Sequence, residues 1–158
     1  MTAASNTALQ PQEPPRFPYQ LVDAYLYDCS VERNVEPEGQ ETPASFTTSL
    51  EFPPTDDLSA GAFHALLRVS ATYRFREGAF CIVTASAMGV FQEIGELDEA
   101  ARRQFKKEDC AVLLWPYARS YAGQLAQMMG VHMPLLPTLD VRLVIAAGRE
   151  GEQTEQPG

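Results

Sequence analysis

The chain has 158 residues, of which 45% are hydrophobic, so it fits one globular domain with one core. Its formal net charge of −9 repels phosphate backbones, which excludes nucleic acid as an expected partner. The longest apolar run, 111–115, is far too short to span a bilayer, and 1–15 lacks the basic and apolar regions of a signal peptide, so no membrane insertion is expected.

The two ends of the chain and its cysteines indicate the domain limits and the compartment. Residues 1–16 are rich in Pro, Gln, Ser and Thr, which predicts a disordered N-terminal arm, and 148–158 is predicted to be a flexible acidic tail. One domain is expected between them, over 17–147. The three cysteines form no CxxC pair and lie among apolar or strand-like neighbours, so reduced buried thiols and a cytoplasmic protein are expected.

Two strands are predicted after the arm from the alternation of apolar and polar residues, because successive side chains of a strand point to opposite faces. The first covers 25–32, where the odd positions are apolar and the even positions mostly polar. The second covers 46–52 and ends at Pro53 and Pro54, which cannot continue a sheet ladder.

The third strand, 63–75, has the most regular alternation and is predicted to bury its odd positions. Arg68 lies on its polar face and is expected to pair with a carboxylate on a neighbouring strand. A tight turn at 76–78 leads into the fourth strand, 79–91, where Gly89 is a candidate bulge. This alternation favours an antiparallel sheet over a parallel one buried on both faces.

Two helices are predicted to follow the sheet. The first is short and polar, over 98–107, and the second has Asp109 as its candidate N-cap and Gly130 at its end. Pro116 leaves two possibilities open: the second helix begins near it, or it kinks a helix that begins at Cys110. The positions with helical spacing on one face of the second helix are Leu114, Ala118, Tyr121, Leu125, Met128 and Met129. The predicted fold is α+β, with a four-stranded antiparallel sheet covered by a long amphipathic helix.

Several segments resemble the SecB family of bacterial protein-export chaperones. LWPYAR at 114–119 resembles the L-F-P-Y-A-R signature of the family, and DCSVE at 28–32 resembles its D-I-S-F-E. GVFQEIG at 89–95 resembles its G-I-F-S-I-x-G-like segment, and the loop after Met129 resembles its Pro-Leu-rich crossover loop. The order and spacing of these segments make the resemblance specific.

The resemblance implies a SecB-like holdase chaperone. Its protomers would pair through helices and edge strands, and two dimers would assemble into a homotetramer. The tetramer would hold unfolded preproteins in apolar grooves and pass them to the SecA translocase motor. Such binding requires no ATP, metal or covalent chemistry, so no cofactor is expected, and the isolated His64 and His132 suggest no metal site.

The resemblance also suggests functional residues. Asp28 and Glu32 match the acidic positions of the first strand that contact SecA in the family, although carboxylates on the wet face of a sheet often only solvate it. Thr84 stands where the family tends to carry another acidic residue.

The candidates for peptide contact are Phe91, Trp115, Met133 and Leu135, with packing in the core as the alternative for the aromatic residues. Met128 is expected in the core because a methionine stripe at helical spacing is usually buried.

Three other functions remain open at this stage. Residues 139–147 are brief where the family has a second helix, and the tail has no basic cluster, so a SecB-like chaperone dedicated to a toxin–antitoxin pair or another labile client is the alternative. From another class, a small thiol enzyme could use Cys110 with His132 and would show a reactive thiol. A plain oligomeric scaffold would show no preference for unfolded chains.

Overall fold

The computed structural model describes residues 17–33, 45–54, 57–74 and 80–129. The predictions for the arm, the tail, the turn at 76–78, Gly130 and all later positions, Met133 and Leu135 included, therefore lie outside the described residues. The elements are β1 (Tyr19–Arg33), β2 (Ser45–Glu51), β3 (Ala62–Arg74), β4 (Phe80–Glu93), α1 (Glu99–Gln104), a π-helical segment (Phe105–Asp109) and α2 (Cys110–Met128).

The four strands form one sheet in the order β1-β4-β3-β2, with every neighbouring pair antiparallel. Long-range pairing therefore places β1 beside β4, and β1 and β2 form the two edges of the sheet. α2 packs on one face of this sheet, where it contacts β4, β3 and β1. The predicted α+β fold is confirmed.

The first strand departs most from its prediction. β1 begins at Tyr19 rather than at 25, and its pairing with β4 shifts register between Leu21 and Asp23 and again between Leu26 and Asp28. Each shift moves the following side chains to the other face, so the odd positions of β1 do not share one buried face as predicted. The bulge predicted at Gly89 was wrong, since Gly89 pairs in register with Ala65 and both irregularities lie in β1.

Small residues line the contact between α2 and the sheet. Gly89 of β4 faces Leu114 of α2 so closely that a Cβ at position 89 would lie 2.6 Å from Leu114 Cδ2. The buried residues of α2 are Cys110, Ala111, Leu114, Trp115, Ala118, Ala122 and Ala126. The alanines of the sheet that are buried with them are Ala65, Ala71, Ala85 and Ala87. The helix and the sheet therefore leave no room for larger side chains at Gly89.

The helical region is continuous from Glu99 to Met128, because the π-helical segment joins α1 to α2. Asp98 is the N-cap, and its Oδ1 accepts a hydrogen bond of 2.7 Å from the Ala101 N–H. The prediction of Asp109 as an N-cap was wrong, because Asp109 has αR backbone angles and makes no side-chain capping bond. Pro116 lies inside a helix that begins at Cys110, which settles the alternative that the sequence left open.

The buried stripe of α2 also differs from the prediction at its C-terminal end. Ala122 and Ala126 are buried, whereas Tyr121 and Leu125 are only partly buried. Met128, expected in the core, is 81% exposed, so that expectation was wrong. The alanines occupy the contact with the sheet, and the larger side chains are turned to its margin.

Glu93, the last residue of β4, joins three parts of the fold. Its carboxylate accepts two hydrogen bonds from the Arg102 guanidinium, at 3.0 and 2.9 Å, and one of 3.1 Å from the Leu97 N–H. The Tyr19 hydroxyl donates a further contact of 3.4 Å. The pKa of the Glu93 carboxyl lies below its ordinary value of 4.5. The main cause is the pair of hydrogen bonds from Arg102, and the hydrogen bonds from Leu97 and Tyr19 act in the same direction.

The close packing at Gly89 predicts that Gly89→Ala destabilises the fold by about 1–3 kcal/mol, because the added Cβ overpacks the contact with Leu114. Urea unfolding measures the loss. The matched experiment is the double variant Gly89→Ala with Leu114→Ala, which should lose less than the sum of the two single losses. Strictly additive losses would show that the steric contact does not determine the choice of glycine.

The Glu93 interactions predict a pH-dependent loss in Glu93→Gln. Since the folded-state pKa lies below 4.5, ionised Glu93 stabilises the fold above that value, and this contribution is lost as the pH falls through the folded-state pKa. The variant should be less stable than the parent at pH 7, and the difference should narrow below pH 4 in urea titrations. Glu99→Gln, whose side chain is 66% exposed in its pair with Arg102, serves as the control and should change little. A Glu93→Gln deficit that is constant with pH would contradict a role for the charge.

Candidate functional site

The sheet face opposite α2 carries both acidic candidates. Asp28 is registered with Ser86 and Glu32 with Ile82, so the two carboxylates lie on the same face, as predicted. We call this surface, on which Arg68 and Ser86 also lie, the open face. Both acidic side chains are exposed at the β1 side of the open face.

The charge of Asp28 is partly compensated. Arg68 of β3 reaches across β4 and donates from Nη2 to Asp28 Oδ2 at 3.2 Å, while its Nε donates to Ser86 Oγ at 3.1 Å. The two charged side chains are 42% and 45% exposed, so the pair is screened by water. The pairing of Arg68 with a carboxylate was predicted, although the structure places that carboxylate two strands away.

The rest of the open face is mixed. The apolar Leu66 and Met88 lie on it, and so do the exposed carboxylates of Asp23 and Glu51. Ser70 and Thr84 share a hydrogen bond of 3.1 Å between their hydroxyl groups, at the position where another acidic residue was considered. Glu32 is exposed and has no ion-pair partner among the residues that the structure describes. Glu32 therefore contributes the less compensated of the two predicted SecA-contact charges.

The two described candidates for peptide contact are buried in this protomer. Phe91 has no exposed surface and stacks on Phe63 with ring centroids 5.2 Å apart. Trp115 is 4% exposed and packs against Phe46, with ring centroids 6.0 Å apart. Its indole N–H has no hydrogen-bond acceptor within the described ranges. Their burial favours the packing role that was the alternative, and peptide contact by either residue stays a prediction.

An exposed apolar edge was missed by the sequence reasoning. β1 is 15 residues long and pairs with β4 alone, and its other edge has no partner strand in the described part of the chain. Its exposed apolar residues are Val22, Tyr25, Leu26 and Tyr27. Such an edge presents free backbone N–H and C=O groups to another chain. Regular alternation was assumed for this strand, whereas the first register shift places Tyr25 on the open face, opposite Met88.

α2 adds further exposed apolar side chains. Tyr117 is 40% exposed, and Met128 and Met129 are exposed at the end of the helix. Among the described helices, none is long and apolar enough to cross a membrane. An exposed aromatic and methionine surface is instead typical of contacts with other polypeptides.

The described thiols are poor nucleophiles where they are buried. Cys81 and Cys110 are both buried, and burial raises the pKa of each thiol. Cys29 is exposed on β1. Over the described ranges, no three His, Cys, Asp or Glu side chains gather where they could hold a metal ion.

Comparisons with known sequences point to one family. Residues 10–144 match the family described as Preprotein translocase subunit SecB. The protein-export protein SecB of Hydrogenovibrio crunogenus (strain DSM 25203 / XCL-2) is 27% identical over 135 residues, which cover 78% of this chain and 89% of that protein.

Among solved structures, the fold is similar to that of the SecB-like chaperone Rv1957 of Mycobacterium tuberculosis, solved in complex with a ChAD peptide from the Rv1956 HigA1 antitoxin. The TM-score is 0.59 at 16% sequence identity, over 77% of this chain and 90% of that chain, a likeness that concerns the fold. Since the family match spans residues 10–144 of 158, this chain belongs to the SecB family.

Proposed function

We propose that this chain is an ATP-independent holdase that binds unfolded preproteins and delivers them to the export translocase. The observation that carries the proposal is the SecB family match over residues 10–144. The SecB protein of Hydrogenovibrio crunogenus, named a protein-export protein, supports the export role. A holdase in the cytoplasm would meet its clients before they reach the membrane.

The exposed apolar surfaces support assembly and client binding by backbone pairing and nonspecific apolar contact. In the proposed assembly, the edge of β1 that has no partner among the described strands accepts a second copy of the chain, and two such dimers form a homotetramer through α2. Client segments bind in an apolar groove that includes Trp115 and the loop with Met133 and Leu135. Phe91 would contribute only if the core around it opened, because it is fully buried.

A binding role rather than catalysis is supported by the state of the thiols. Burial raises the pKa of Cys110, so its thiol stays protonated at neutral pH and is a weak nucleophile. A Cys110–His132 pair would need this buried sulfur to be both ionised and accessible.

A second candidate function is that of a chaperone dedicated to one labile client. The solved relative that favours it is the SecB-like chaperone Rv1957, which was captured with an antitoxin peptide. The Asp28–Arg68 pair, with side chains 42–45% exposed, is consistent with it, since it lowers the acidity of the surface that SecA would contact. In this alternative the client groove is retained and the handover to SecA is absent.

The holdase proposal predicts selective capture of unfolded chains. Light scattering of the purified protein should give a tetramer mass, and the mass should rise by one client when an unfolded, slow-folding preprotein is added. The same client in its native form is the control and should leave the mass unchanged. A monomer or dimer that captures nothing would contradict both the assembly and the function.

The handover proposal predicts that charge reversal on the open face weakens SecA binding and spares the client. Asp28→Lys with Glu32→Lys should lower the affinity for SecA by about tenfold, measured by calorimetry, with client capture unchanged. Most of the loss should come from Glu32→Lys, because Arg68 already compensates Asp28. Glu96→Lys, at an exposed position after β4, is the matched single-charge control. Unchanged SecA affinity in the double variant, or no SecA binding by the parent, would favour the dedicated-client alternative.

A further inference from the structure

A cleft of about 420 Å³ lies at the end of the sheet where β2 stops. Its lining includes Tyr19, Phe52, Pro53, Phe63, Arg102 and Lys106. None of the residues proposed above for SecA contact or client binding lines this cleft. The cleft combines apolar ring faces with two cationic side chains, which is the composition of a site for a ligand that is partly apolar and partly anionic.

One wall of the cleft is an unpaired part of β3. β2 ends at Glu51, opposite Leu66, whereas β3 extends further, to Ala62, because Pro53 has no N–H for the ladder. Over 62–65, β3 thus has no neighbouring strand on this side among the described residues. An extended peptide can add to such an edge.

The backbone register identifies the free groups on this edge. The Gly61 carbonyl accepts a hydrogen bond from the Glu93 N–H at 2.9 Å, so residues 62 and 64 direct their backbone groups away from β4. The Ala62 N–H donates to the Ser59 carbonyl at 3.1 Å. Within the described ranges, the backbone N–H and C=O of His64 have no partner and are directed towards the place of an added strand.

Lys106 provides the charge. Its Nζ lies over the rings of Phe63 and Phe52, 4.6 and 5.7 Å from their centroids, and it has no carboxylate partner within the described ranges. Arg102, by contrast, pairs with Glu93 at 2.9 Å, so these two charges cancel. The described part of the cleft therefore carries a net positive charge in a chain whose net charge is −9.

We propose that this cleft binds a carboxylate-bearing apolar segment of an extended polypeptide. The segment adds to the β3 edge at His64, its apolar side chain packs on Phe52, which is 40% exposed, and its Asp or Glu carboxylate pairs with Lys106. This inference rests on the proposed holdase function and adds a preference among client segments. The cation–π contacts hold the ammonium beside the apolar rings, so both parts of the ligand can be bound together.

Two fluorescein-labelled peptides of about twelve residues test the proposal. Both carry a Leu-Val-x-Val-Leu centre and differ only in x, which is Asp or Asn. Fluorescence anisotropy with the full-length protein should give an affinity for the Asp peptide about fivefold higher than for the Asn peptide. The preference should shrink in high salt, because the half-exposed ion pair is screened.

Variants of the two adjacent lysines separate recognition from stability. Lys106→Met keeps the aliphatic stem over Phe63 and removes the charge, so it should abolish the Asp preference and leave the affinity for the Asn peptide unchanged. Lys107→Met makes the same change in net charge at an exposed position outside the cleft and should keep the preference. Lys106→Arg should also retain it.

Equal affinity of the parent for both peptides, or a preference that survives Lys106→Met, would overturn the inference. Failure to bind either peptide would overturn it as well. Capture of an unfolded preprotein is measured on the same sample, so that failure of this inference can be told apart from failure of the proposed holdase function. If capture persists without an Asp preference, only the carboxylate site is lost; if capture is also absent, the proposed function itself fails.

Discussion

The close contact of α2 with β4 is the constraint on which the protomer depends. Gly89 has no side chain because Leu114 Cδ2 occupies the place of a Cβ, and alanines on both surfaces keep the helix near the sheet for four turns. Towards the end of α2 the larger apolar residues lie at the margin of this contact, where Met128 is exposed. One helix therefore covers one face of the sheet, while β1 presents exposed side chains on the open face and at the edge of the sheet.

Glu93 fixes where this helix begins. Its carboxylate binds Arg102 and the Leu97 N–H, so the end of β4, the connection and α1 are held as one unit. The π-helical segment then turns Phe105 into the aromatic core and places Lys106 at the cleft. Since Arg102 is occupied by Glu93, Lys106 is left as the cation available to a ligand. The interactions that orient the helix thereby also determine the charge of the cleft.

The sequence predicted β3 and β4 because alternate positions of both strands are buried under the helix, although 65–67 of β3 and 85–89 of β4 are buried on both faces. β1 was harder, since its two register shifts depend on pairing with β4, which is distant in sequence. The helix stripe failed at Met128 because alanine and larger residues alternate along α2, and hydrophobicity alone does not reveal which of them meets the sheet. The cleft was missed because its residues come from five separate stretches of the chain.

The open face bears on the choice between export and a dedicated client. An acidic handover surface needs carboxylates whose charge is available to the motor, and here Arg68 compensates Asp28 while Thr84 bonds to Ser70. Glu32 then carries the other predicted contact charge, and Asp23 and Glu51 also place exposed carboxylates on this face. The client binding proposed above makes no such demand on Asp28 and Glu32, because it would use apolar and backbone groups. The two functions are therefore separable in this protomer, and a family member could keep the first while its coupling to the motor weakens.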